Sequence, residues 1–137
     1  MKVYALCVLV LFIKMLAISC YQGYFRLRHL AFINSEDAGF FKRAANSQEL
    51  PQVSRGARAW ANDLENIPLF FVLGGLCVAL EATSVATTWL FCTFTVVRVM
   101  HTLMYLGGRQ PLRTVAYCVG VACLCGLAGV LCLSLTE

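Results

Sequence analysis

Arg58-Ala59-Trp60-Ala61-Asn62-Asp63-Leu64-Glu65-Asn66-Ile67-Pro68 runs without a break into the apolar segment Leu69 to Leu80. At 3.6 residues per turn the apolar segment reads as a membrane helix and the stretch before it as its polar first turns. Arg58, Asn62 and Glu65 then fall at i, i+4 and i+7 on one face. Two further clusters, Arg98/His101/Tyr105 and Arg113/Tyr117, sit on apolar segments of their own. The sequence therefore predicts an all-α, integral membrane four-helix bundle that gathers three polar faces into one site.

Composition supports the membrane class. Of 137 residues 60% are hydrophobic and 13% charged, with mean hydropathy +0.75, whereas a soluble domain of this size exposes far more charge. The basic residues are scattered among apolar runs and form no continuous stripe, which argues against a nucleic-acid partner. All eight cysteines lie in apolar segments, where a thiol behaves as a small hydrophobe. No Cys-x-x-Cys pair occurs, and neither His29 nor His101 has metal-ligand spacing to a cysteine or a second histidine, so no metal is expected.

Taken in order, the chain offers four spans, at about 3–25, 57–82, 85–106 and 112–135, with a polar connection over 26–56. A basic start followed by small residues near Ala17–Cys20 also fits a cleaved signal. Lys14 interrupts that apolar run, however, and an intramembrane lysine turns inward toward a partner, which favours a retained span. Asn34-Ser35-Glu36-Asp37 reads as a turn and helix start, and Pro51 as a breaker. Gly74-Gly75 permits close helix approach, and Gly107-Gly108-Arg109-Gln110-Pro111 turns the chain. The connections over 26–56 and 107–111 hold most of the Lys and Arg outside spans. The positive-inside rule thus puts them in the cytosol and both termini across the membrane.

Arg98, His101 and Tyr105 stand at i, i+3 and i+7, and Arg113 and Tyr117 at i and i+4, with Thr114 adjacent. An unpaired Arg or Asp at the middle of a span costs about 2.5–3.5 kcal/mol, so these groups must meet each other or a polar ligand. Arg98 has Asp63 and Glu65 as candidate partners. Arg26, Arg58, Arg98 and Arg113 outnumber those two carboxylates, and surplus guanidinium suits a carboxylate-bearing ligand held bidentately.

Several of these motifs, with Ile13-Lys14-Met15, Arg26-Leu27-Arg28, Ala31 to Ala38, Asn62 to Ile67, Arg98-x-x-His101-Thr102-x-x-Tyr105-Leu106 and Arg113-Thr114-x-x-Tyr117, together resemble the MAPEG family. These are membrane-associated proteins of eicosanoid and glutathione metabolism. The resemblance implies a homotrimer in the endoplasmic reticulum and perinuclear membrane, surrounded by membrane lipid. It implies glutathione bound between neighbours at the cytosolic side and a lipophilic eicosanoid substrate. On the matching positions, Arg26, Asn62, Glu65, His101, Tyr105, Arg113, Thr114 and Tyr117 would hold glutathione. Arg113 and Thr114 would stabilise its thiolate, and Asp37 would act as acid/base. From the polar faces themselves, apart from the resemblance, Arg58, Asp63 and Arg98 are expected to support the site.

Arg26-Leu27-Arg28, Glu36-Asp37-Ala38 and Tyr117 lean toward the branch that isomerises prostaglandin H2 to prostaglandin E2. Asn62 to Ile67 leans toward the branch that conjugates glutathione or reduces lipid hydroperoxides. A non-catalytic lipid-binding scaffold ranks below both, since most glutathione positions are present. Two departures stand out: Ala61 where the isomerising branch has arginine, and Thr114 where it has serine.

Overall fold

A computed structural model describes residues 1–136. The order is α1 (Lys2–His29), α2 (Ser35–Phe40), α3 (Pro51–Ala79), α4 (Val85–Leu106) and α5 (Gln110–Ser134), with no strand among the described residues. All but α2 are long and apolar enough to cross a membrane. Helices α1 and α5 each pack on both α3 and α4, so those two form the centre of the bundle.

Helix α1 runs past position 25 and α3 begins before position 57, whereas α4 covers 85–106. Pro51 does not break a helix but opens α3, because its missing N–H is one that a first turn leaves unpaired anyway. Helix α1 continues to His29, which places Arg26, Arg28 and His29 on its last turn rather than in the connection. It ends through Leu30 in the left-handed region (φ 47°), with the Ala31 N–H donating to the Arg26 carbonyl. In the connection, α2 starts after Asn34, whose side chain donates to Asp37 Oδ2 (3.3 Å) instead of capping the helix. Helix α4 has a reciprocal cap: Ser84 Oγ accepts from the Thr87 N–H, and Thr87 Oγ1 accepts from the Ser84 N–H.

Period decides which face is buried. Along α3, Val53, Gly56, Ala59, Asp63, Asn66, Ile67, Phe70, Gly74 and Cys77 turn inward at steps of three and four. Along α4 the inward row is Thr87, Phe91, Phe94, Thr95, Arg98, His101 and Thr102, while Trp89, Val96 and Leu103 face out. Two zones result. One half of the bundle is an apolar core of Cys7, Leu11, Ile67, Phe70, Phe91, Phe94, Cys123, Leu124 and Leu127. In the other half the inward groups are charged or polar. Outward residues such as Leu6, Leu9, Phe12, Ile13 and Val115 are large and apolar, as a hydrocarbon solvent requires.

Phe70 anchors the core, stacked on Phe94 with centroids 4.5 Å apart and edge-on to Phe91 at 5.8 Å. Tyr4 closes it from α1 and donates its O–H to the Phe71 carbonyl at 2.7 Å. A phenol reaches main chain there because Gly74 leaves room: a Cβ at that position would lie 2.5 Å from Tyr4 Cε2 and 3.2 Å from Phe91 Cε1. The close approach anticipated for Gly74-Gly75 is thus with the ring of Tyr4.

Gly74→Ala should lower the thermal midpoint in detergent, at about 1–3 kcal/mol for an overpacked core. Gly23→Ala, where an added Cβ meets nothing within 4 Å, should be neutral or slightly stabilising, since alanine is the better helix former. Equal shifts for the two would contradict this packing.

Candidate functional site

The polar half opens into a cavity of about 410 Å³ lined by Arg58, Ala61, Asn62 and Glu65 from α3, His101 and Tyr105 from α4, and Arg113, Thr114 and Tyr117 from α5. The i, i+4, i+7 row on α3 is one wall. Ala61 joins it as the residue beside Asn62. On the facing walls the Arg113 guanidinium lies over the Tyr105 ring, 4.4 Å from its centroid, a cation–π contact that fixes where the charge sits. His101 lies edge-on to Tyr105 at 5.7 Å and 6.4 Å from the Tyr117 ring. Thr114 donates its O–H weakly to the Gln110 carbonyl (3.4 Å), which leaves the oxygen's lone pairs free. Among the described residues, Arg58, Glu65 and Arg113 have no ion-pair partner. The cavity therefore carries two unpaired guanidinium groups and one unpaired carboxylate.

Behind this wall lies a buried ion cluster. Asp63 on α3 is fully buried and receives Lys14 Nζ of α1 on Oδ2 and Arg98 Nη2 of α4 on Oδ1, the latter at 2.7 Å. Lys14 thus has its partner, and Arg98 takes Asp63 rather than Glu65. The same Nη2 also donates to Asn62 Oδ1 (2.8 Å) and to the Asn62 carbonyl (3.0 Å). Arg98 Nε and Nη1 and His101 Nδ1 are buried with no partner among the described residues. Of the polar stripe Arg98/His101/Tyr105, the last two reach the cavity and Arg98 lies beneath it.

Two predicted site residues lie elsewhere. Arg26 donates through Nε and Nη2 to Glu49 Oε2, and with Phe32, Ile33, Asn34 and Asp37 it lines a separate cavity of about 100 Å³. Asp37 is exposed there. Neither touches the main cavity of this chain. Glu49, which neutralises Arg26, is a residue that sequence reasoning missed. It is 23 residues away in the connection, so no helical period could reveal the pair.

The family model described as MAPEG family matches residues 4–133. Over 115 residues the chain is 38% identical to prostaglandin E synthase of Homo sapiens, covering 83% of this chain and 76% of that protein. It is 38% identical over 117 residues to prostaglandin E synthase of Mus musculus, covering 83% and 75%. Microsomal glutathione S-transferase 1 of Sus scrofa is 34% identical over 113 residues, covering 78% and 72%.

The ion cluster gives an ordered pair of expectations. Lys14→Met leaves the neutral Arg98–Asp63 pair intact and should cost less than Asp63→Leu, which strands two buried cations. The second change should cost about 3–5 kcal/mol, read as thermal unfolding in detergent. The reverse ranking would mean that Asp63 is not the shared anion.

Proposed function

The chain is an integral membrane enzyme of the MAPEG family, and on that premise we propose that it is a glutathione-dependent isomerase converting the endoperoxide prostaglandin H2 to prostaglandin E2. The observation that carries this reading is the charge pattern of the cavity. Its volume falls within the range of about 300–1,000 Å³ usual for small-ligand sites. Its unpaired cations Arg58 and Arg113 and unpaired carboxylate Glu65 match a tripeptide thiol, which offers carboxylate and thiolate to the cations and an ammonium to the anion.

Bound glutathione supplies a thiol that can act as a nucleophile toward a peroxide oxygen. A free thiol has a pKa of about 8.5 and is mostly protonated at neutral pH. Arg113, held over Tyr105, places a fixed positive charge on the cavity wall, and the Thr114 hydroxyl beside it can donate inward by giving up its weak bond to the Gln110 carbonyl. Together they favour the sulfur anion. Glu65 takes the ligand ammonium, and Arg58, Asn62, His101, Tyr105 and Tyr117 hold and orient the remaining polar groups. The apolar outer face of the bundle gives a lipid-soluble substrate access from the membrane plane.

The enzyme works as a homotrimer whose cavities lie at the cytosolic side, with the termini lumenal, in the endoplasmic reticulum and perinuclear membrane. Arg26 and Asp37 come to each cavity from the adjacent copy, Arg26 exchanging Glu49 for the ligand and Asp37 taking the ring proton. Assembly is needed for that role because neither residue reaches the cavity of its own chain.

One observation favours a second reading, glutathione conjugation or lipid-hydroperoxide reduction. Ala61 lines the cavity where the isomerising branch carries a cation, so this chain has less positive charge on that wall. Product analysis separates the two: an isomerase leaves glutathione unconsumed, whereas the alternative uses it up.

Purified protein given glutathione with prostaglandin H2 should form prostaglandin E2 at constant glutathione. Arg113→Leu should lower that turnover by about 100-fold or more, as loss of a charge-stabilising donor does elsewhere. Full turnover by Arg113→Leu would refute the assignment. Ala61→Arg should tighten glutathione binding severalfold in calorimetry, by adding a cation to the wall.

A further inference from the structure

Asn62 lines the cavity, yet the group that fixes its side chain belongs to another helix and lies outside the cavity. The two hydrogens of Arg98 Nη2 serve three acceptors, Asn62 Oδ1 (2.8 Å), the Asn62 carbonyl (3.0 Å) and Asp63 Oδ1 (2.7 Å), so one hydrogen is shared between two of them. A guanidinium has donors only, so an amide that meets it must present its oxygen. The Asn62 amino group is thereby turned away from Arg98, and it has no partner among the described residues. An unconstrained asparagine can offer either end of its amide; this one can offer only N–H.

We propose that Arg98 is a positioning residue for ligand binding: anchored by Asp63, it locks the Asn62 amide so that its amino group faces the cavity as a dedicated donor for a ligand carboxylate. The proposal rests on reading the cavity as a glutathione site. It accounts for a feature that a simple strut leaves idle. Joining α3 to α4 needs only the Arg98–Asp63 pair, but the same nitrogen also holds the side chain of the neighbouring cavity residue. Asp63 has a part in this as well. With Lys14 on its other oxygen, it is held from two helices and cannot follow Arg98 if the guanidinium shifts. The amide is therefore oriented before a ligand arrives, and binding need not order it.

A double-mutant cycle tests this on the full chain in detergent, with glutathione affinity measured by calorimetry. Arg98→Lys keeps a cation for Asp63 but loses the planar guanidinium. It should weaken glutathione binding about five- to tenfold. In the Asn62→Ala background, the same change should have no further effect. Additive losses would overturn the proposal, because Arg98 would then act by a route other than Asn62.

A second variant covers the case in which Arg98→Lys does not fold. Asn62→Asp keeps an acceptor for Arg98 and so should retain the thermal midpoint, yet it has no N–H and should bind glutathione no better than Asn62→Ala. Wild-type affinity in Asn62→Asp would also overturn it. Failure of the unmodified protein to bind glutathione would strike the functional reading instead, which keeps the two failures apart.

Discussion

Asp63 is the residue on which the bundle turns. It is a fully buried anion, and cations from two other helices meet on its two oxygens. Hydrophobic burial cannot specify how α1, α3 and α4 register, because lipid satisfies their apolar faces as well as protein does. A charge that has left water has far fewer acceptable places, since an unpaired ion in a span costs several kcal/mol. The cluster thus sets the register of three helices, and the aromatic packing of Tyr4, Phe70, Phe91 and Phe94 follows it in the other half. Two cations against one anion leave a net positive charge beneath the cavity floor, with two Arg98 nitrogens unpaired. That charge adds to Arg58 and Arg113 in favouring an anionic occupant.

Helical period made most of this legible in the sequence. Arg58, Asn62 and Glu65 share a face by arithmetic and line one wall, and the same arithmetic brings His101, Tyr105, Arg113 and Tyr117 to the others. The span edges were less visible. Proline is read as a breaker unless its position within the helix is known, and Pro51 sits where its defect is harmless. Partner choice was also hidden. Asp63 and Glu65 lie two residues apart and so face different ways, but which of them meets Arg98 depends on where α4 stands, and spacing within α3 does not contain that. Arg26 and Glu49 pair across a connection with no repeat at all.

The site's chemistry is uneven in an informative way. Against the residues that the family resemblance implies, threonine for serine at position 114 would keep the hydroxyl and add a methyl group on α5, whereas alanine for arginine at position 61 would remove a long cationic side chain from α3. The alanine at position 61 bears on the charge offered to a ligand, whereas the threonine at position 114 keeps its hydroxyl and bears on shape.

Lys14 and its counterion are separated by 49 residues, and Arg98 comes 35 residues after Asp63. At a synthesis rate of about 5–20 residues per second, the first helix waits roughly 2–10 s after leaving the ribosome before a carboxylate exists to receive its ammonium. During that interval the nascent segment carries an ammonium without its native counterion, a costly state within a span. The native pairing of this lysine thus depends on the later helices, and the first span completes its polar contacts only after α3 has been made.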